Sequence, residues 1–286
     1  MKGILLAGGT GSRLWPTTRG VSKHLVPIYD KPLIYYPLST LMLAGIRDIA
    51  IVTTPNDQVS YRNLLGDGSN FGINLTYCVQ EKPEGIPQVF SLLQEFLGSS
   101  KVCLILGDNM FHGMGLGGKL RDLTKVNGAH IFGYKVQNPQ DYGVIELGEA
   151  GGVVGLHEKP VNPPSKYAIP GLYFYDNTVV ARSLKLKKSI RGEYEITDLN
   201  LSYLSDAALT TSILERGTMW LDCGSPNALL AASNYVHTLE SRQGVKIAAI
   251  EEISWRNGWI TDERLLNLGG KMSNEYGLYL QSLLQD

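Results

Sequence analysis

Short apolar, β-branched runs at residues 3–7, 48–54, 75–79 and 102–106 alternate with stretches whose apolar positions recur at helical spacing. Those stretches cover 33–44, after Pro32, then 87–97 and 116–126, the last entered through Gly115 and left at Asn127-Gly128. Strand and helix in alternation predict a Rossmann-like, doubly wound α/β fold on a mixed, mainly parallel sheet. Beyond position 129 strand patterns crowd together, at 131–136, 144–147, 153–158, 167–175 and 210–214. They predict an added sheet laid over the first half. Residues 197–204 and 226–239 read as helices, and 276–284 as a short closing helix. No linker-like tract, repeat or low-complexity segment divides the 286 residues. The expectation is one domain over 1–286, with halves at about 1–128 and 129–240 and a helical appendage at 241–286.

The junction after the first strand carries the densest chemistry. Leu6-Ala7-Gly8-Gly9-Thr10-Gly11-Ser12-Arg13-Leu14 is followed by Pro16-Thr17 and by Ser22-Lys23-His24-Leu25-Val26-Pro27. Glycines let successive backbone N–H groups converge on an anion, and Arg13 and Lys23 add positive charge at the same edge. The pattern predicts a cradle for a polyphosphate. It is not a Walker loop, because no Lys-Ser/Thr follows the glycines. It is not the dinucleotide fingerprint either, because the third glycine position is Leu14. Two aspartates stand at comparable junctions. Asp108 follows the buried run Leu104-Ile105-Leu106-Gly107, and Asp222 lies in Trp220-Leu221-Asp222-Cys223-Gly224-Ser225, before the helix starting at Pro226. Either alone reads equally as a cap or a turn former.

These motifs, with Tyr29-Asp30-Lys31-Pro32-Leu33-Ile34-Tyr35-Tyr36-Pro37-Leu38, resemble the sugar-nucleotidyltransferase family over nearly the whole chain. Within it they resemble the glucose-1-phosphate thymidylyltransferase branch. The resemblance implies a nucleotide-binding first half and a sugar-phosphate-binding second half. It also implies transfer of a nucleotidyl group from dTTP to α-D-glucose 1-phosphate, giving dTDP-glucose and pyrophosphate at the start of dTDP-rhamnose-type synthesis. Asp108 and Asp222 match the two metal-binding aspartates, with Mg²⁺ as cofactor. Such a hard ion keeps waters and bridges substrate phosphates. Gly8, Gly9, Gly11, Ser12, Arg13 and Lys23 match the triphosphate loop, and Asn109, after the first aspartate, is implied to bind substrate. In Glu158-Lys159-Pro160, Glu158 matches the residue holding sugar hydroxyls and Lys159 the one holding the sugar phosphate. Arg191 matches a second phosphate-binding arginine. Tyr142, Gly143 and Ile169 fall in the sugar-pocket segments, Ile169 through its main chain. Gln80 and Gly85 fall where the pyrimidine is recognised; a glutamine amide can pair with the O4 and N3–H edge of thymine or uracil.

Some positions depart from the family. His24 stands where glutamine is usual, at a position the resemblance implies lies near the nucleotide and binds substrate, and Gly85-Ile86-Pro87-Gln88-Val89-Phe90 replaces the usual Gly-Leu-Ala-Gln-Ala-Phe. A feedback site between subunits is implied at Gly115 and Arg256, with His112 and Met114 replacing the usual Tyr and His. The family also implies a homotetramer.

Composition narrows the rest. Basic and acidic residues number 26 and 27, so bulk attraction to nucleic acid or an anionic membrane is not expected. Cys78, Cys103 and Cys223 form an odd set in apolar contexts and read as thiols of a reducing, cytoplasmic compartment. No apolar run reaches membrane-spanning length and no signal segment precedes the first strand. The five histidines show no triad or metal spacing. Rival readings are a UTP:glucose-1-phosphate uridylyltransferase, a non-catalytic sugar-nucleotide sensor and a dinucleotide-dependent oxidoreductase.

Overall fold

The computed structural model describes residues 1–149 and 151–285. Four parallel strands form one side of its main sheet, in the order Asn74–Val79 at the edge, then Asp48–Thr53, Lys2–Ala7 and Val102–Leu106. Alternate residues along the first strand enter opposite layers, Ile4 with Ala50 and Leu104 on one face, Leu5 with Ile51 and Ile105 on the other. Both faces of the inner strands are covered, which is why they read as unbroken apolar runs, whereas Asn74–Val79, at the sheet's edge, leaves Asn74 and Thr76 exposed.

The chain leaves Lys2–Ala7 for a strand on one side, and later returns to form Val102–Leu106 on the other. That reversal opens a crevice at the carboxyl ends of the two neighbouring strands, where ligands of open α/β sheets bind. Leu6 is registered against Leu106, so Gly8 and Asp108 emerge side by side.

The strands after position 129 do not lie over the first half. They continue the central sheet edge to edge. Leu172–Tyr175 pairs antiparallel with Val102–Leu106, and Ala129–Lys135, Tyr167–Ala168, Gly143–Leu147 and Val153–Glu158 follow in order. Leu209–Ile213 joins Ala129–Lys135 in parallel, which completes ten strands. The run expected at 167–175 is two strands, because Pro170-Gly171 interrupts the ladder. The expected helix 87–97 is likewise two, Gln88–Leu92 and Gln94–Leu97, broken where Leu93 leaves helical geometry.

Two further elements escape the sequence patterns and shape the site. Asn109–His112 and Met219–Asp222 form a separate antiparallel ribbon. The helices Ile250–Arg256, Asp262–Gly270 and Glu275–Ser282 build the C-terminal appendage around Ala249, Leu265, Tyr276 and Leu280. Among the described residues, no helix is long and apolar enough to cross a membrane.

Candidate active site

The glycine-rich turn owes its shape to two backbone positions. Gly9 and Gly11 have φ of 103° and 60°, values that side-chain-bearing residues rarely adopt. Thr18 Oγ1 donates to the Gly11 carbonyl at 2.7 Å and ties the turn back on itself. A cavity of about 260 Å³ lies against it, lined by Gly9, Gly11, Ser12, Arg13, Lys23 and Gly224.

The ribbon explains how two aspartates 114 positions apart come together. Asp222 is paired across it with Asn109, and the Cys223 N–H donates to the Asp108 carbonyl at 2.8 Å. Ser225 then caps the helix Pro226–Gln243, accepting from the Ala228 N–H at 3.2 Å, so Asp222 stands just before a fixed helix start. Lys23 Nζ sits 2.5 Å from Asp108 Oδ2. Burial favours the neutral acid at Asp108, yet the charges of Lys23 and His24 and the bonds from Lys23 and Asn109 outweigh it and hold the pKa below the usual carboxylate range. Asp222 moves the opposite way, raised by burial and then by the negative charge of Asp108, against the pull of Lys23 and Arg13. The pair is therefore one well-neutralised and one under-neutralised carboxylate.

Asn109 was expected to contact substrate, but its side chain is occupied. Its Nδ2 donates to Asp108 Oδ1 at 2.9 Å, and its Oδ1 accepts from Trp220 Nε1 at 2.7 Å and from the Gly171 N–H at 3.0 Å. It is a buried hub that aims Asp108. His24 also lies apart from the expected role. It is 1 % exposed, against Ser22 and Tyr61, with Nδ1 at 3.3 Å from Ser22 Oγ and 3.1 Å from the Tyr61 hydroxyl. Burial, then the neighbouring Lys23 charge, pushes its pKa down to about 3, so it is neutral.

A second cavity, about 200 Å³, holds both aspartates together with Arg13, Tyr142, Glu158 and Lys159. Arg13 thus lines both this space and the glycine-loop cavity. Lys159 has a left-handed backbone, φ 41°, an uncommon conformation for a residue with a side chain and one that concentrates at functional sites. Glu158 is aimed by Thr197, whose hydroxyl donates to Oε2 at 2.6 Å, and faces Arg191 at 3.5 Å. Arg191 also approaches Glu193 and Glu195, at 3.4 and 3.8 Å. Gly143 and Ile169 line the cavity; of the Ile169 main-chain groups expected to serve the sugar, the N–H donates to the Gly143 carbonyl at 2.8 Å.

Gln80 and Gly85 line a third cavity of about 170 Å³, with Gly8, Gly9, Pro83 and Ile86. Gln80 Nε2 donates to Gln88 Oε1 at 2.6 Å, and Gln88 Nε2 donates to Glu84 Oε2 at 2.9 Å. A side chain at Gly85 would meet the Tyr194 backbone carbonyl at 2.2 Å, so the turn closes only with glycine there. Another space, about 620 Å³, flanks the loop beside Thr18, Arg19, Thr54 and Asp57; neither Asp108 nor Asp222 lines it. Far from these, Gly115 caps the helix Leu116–Leu123, and Arg256 pairs with Glu252 at 2.7 Å. Thr197, Gln88 and Trp220 were missed as functional positions: Thr197 and Trp220 act through partners distant in the chain, and Gln88 acts only by fixing the Gln80 amide.

Among the described residues, no group of three or more His, Cys, Asp or Glu side chains is gathered to hold a metal. Two carboxylates alone fit a hard divalent cation that completes its shell with water and phosphate. A family model described as nucleotidyl transferase matches residues 2–238. The chain belongs to that family. It is 51% identical over 286 residues to a glucose-1-phosphate thymidylyltransferase of Mycobacterium tuberculosis, covering 100% of this chain and 99% of that protein. The same name is carried by a Mycolicibacterium smegmatis protein 54% identical over 285 residues, covering 99% of each. A Bacillus anthracis structure assigned as a glucose-1-phosphate thymidylyltransferase, solved in complex with sucrose, is 37% identical with a TM-score of 0.76. It covers 82% of this chain and 94% of that one. A UDP-glucose pyrophosphorylase solved with UDP-glucose has a TM-score of 0.73 at 24% identity, over 83% of this chain and 98% of that one, and shares the fold.

Proposed function

We propose that this chain transfers the thymidylyl group of dTTP to α-D-glucose 1-phosphate, forming dTDP-glucose and pyrophosphate with Mg²⁺ as cofactor. The observation that carries the reading is the joining of Asp108 and Asp222 to Arg13 and Lys159 in one cavity, next to the glycine loop.

An oxygen of the sugar phosphate attacks the α-phosphorus in line; that P–O bond forms as the bond to the leaving pyrophosphate breaks. A phosphomonoester is already a nucleophile near neutral pH, so no side chain need supply one. Catalysis is positioning and charge stabilisation. The Gly8–Arg13 loop and Lys23 hold the departing phosphates, and Arg13 reaches both substrates' cavities. Lys159 and Arg191 orient the incoming phosphate, while Glu158, steered by Thr197, takes sugar hydroxyls. Gln80 and Gly85 take the pyrimidine, with Gln88 fixing the Gln80 amide. Asp108 and Asp222 would hold magnesium, which supplies positive charge against the α-phosphate when bound.

All three cysteines are free thiols, which supports a cytoplasmic setting. A homotetramer belongs to the same reading, with Gly115 and Arg256 proposed for an effector between subunits. The test is pyrophosphate release across four nucleoside triphosphates and several hexose 1-phosphates with Mg²⁺. The best turnover is expected for dTTP with glucose 1-phosphate. A higher kcat/KM for UTP would reassign the base.

A further inference from the structure

The helix Ile196–Ser205 places Thr197 and Asn200 three residues apart on the face that lines the 200 Å³ cavity. Thr197 commits its hydroxyl to Glu158. Asn200 is different. It is 0 % exposed, and its Oδ1 accepts from the Tyr175 hydroxyl at 2.7 Å, which fixes the amide's orientation. Tyr175 is itself held, edge-on to Phe90 and stacked on Tyr203. The Asn200 Nδ2 group has no hydrogen-bond partner.

A buried donor left unpaired is costly, so one retained in a ligand cavity marks a place where a ligand supplies the acceptor. The other unpaired buried side-chain atoms among the described residues belong to Thr53, His130 and Thr211, which sit in strands of the sheet and do not line this cavity. The neighbours of Asn200 in sequence and space are apolar and aromatic, Ile196, Leu199, Tyr173, Tyr175 and Tyr203 forming one buried cluster, and the cavity's cations are Arg13 and Lys159. A neutral amide N–H in apolar surroundings suits a hydroxyl oxygen and not a phosphate.

We infer that Asn200 Nδ2 donates to one ring hydroxyl of the hexose and thereby sets which hexose 1-phosphates are accepted. This rests on the transferase reading above. A site built to pair with a hydroxyl rejects the analogue lacking it, because the buried group is then stranded.

The experiment compares kcat/KM for glucose 1-phosphate and its 2-, 3-, 4- and 6-deoxy analogues, with dTTP saturating, in the wild type and in Asn200→Asp. That substitution keeps an acceptor for Tyr175 and removes the donor. The wild type is expected to discriminate against one deoxy analogue by roughly 10- to 100-fold. In Asn200→Asp that one ratio collapses toward unity, through KM for the sugar phosphate, while the other ratios and KM for dTTP hold. An unchanged selectivity profile, or an equal loss on every sugar, overturns the inference and leaves the transferase reading standing. If Asn200→Asp does not fold, the wild type decides: every deoxy analogue within about twofold of glucose 1-phosphate overturns it. No turnover with any hexose 1-phosphate overturns both.

Discussion

Asn109 offers the most direct test of how the site is held. Replacing it with alanine removes the donor to Asp108 Oδ1 and strands two buried donors, Trp220 Nε1–H and the Gly171 N–H. Each stranded buried group costs about 1–3 kcal/mol. Water entering from the adjoining cavity recovers part of this, so Asn109→Ala should cost ~2–4 kcal/mol. For a chain of this size that lowers Tm by roughly 5–10 °C. Asn109→Asp separates stability from function. It keeps an acceptor for Trp220 and Gly171 but replaces the donor facing Asp108 with a third carboxylate. Its Tm should fall less than that of Asn109→Ala, while its turnover falls at least as far. Calorimetry and pyrophosphate release on both variants make the comparison. An Asn109→Ala protein melting within about 2 °C of wild type would refute the hub. So would an Asn109→Asp protein with normal kcat.

Three other outcomes follow from the same geometry. Asp108→Asn should lower kcat by about 10²–10³ or more with the fold retained, and wild-type turnover in a folded sample would remove the aspartate from the mechanism. Lys159→Ala should raise KM for the sugar phosphate and lower kcat; a change confined to KM for the nucleotide contradicts its assignment. His24, with its pKa depressed to about 3, binds a proton more readily when unfolded, so its contribution is present above pH 6.5 and is lost as pH falls toward 3. His24→Gln should therefore flatten the decline of Tm between pH 6.5 and 4, and an unaltered slope would show that His24 is not held neutral.

Much of this protein is written locally. The run Gly3 to Ala7 had to be a buried strand, and Gly8, Gly9 and Gly11 had to be a turn, because backbone sterics and apolar patterning act over neighbouring residues. The motifs around Asp108, Glu158 and Asp222 were legible through the family resemblance, which attaches to short segments at strand ends; local pattern alone left each a cap, a turn former or a solvated strand end. The sequence patterns did not disclose the Asn109–His112 ribbon, since an isolated four-residue strand has no period to read and gains its stability only from Met219–Asp222 across the chain. Nor did they reveal that Asn109 and His24 turn inward, that Thr197 aims Glu158, or that the later strands extend the sheet instead of covering it. Those outcomes were decided by which donors and acceptors could be paired once distant segments were packed together. The demand that buried polar groups find partners acts through space, and composition and local pattern carry no record of who the partner will be.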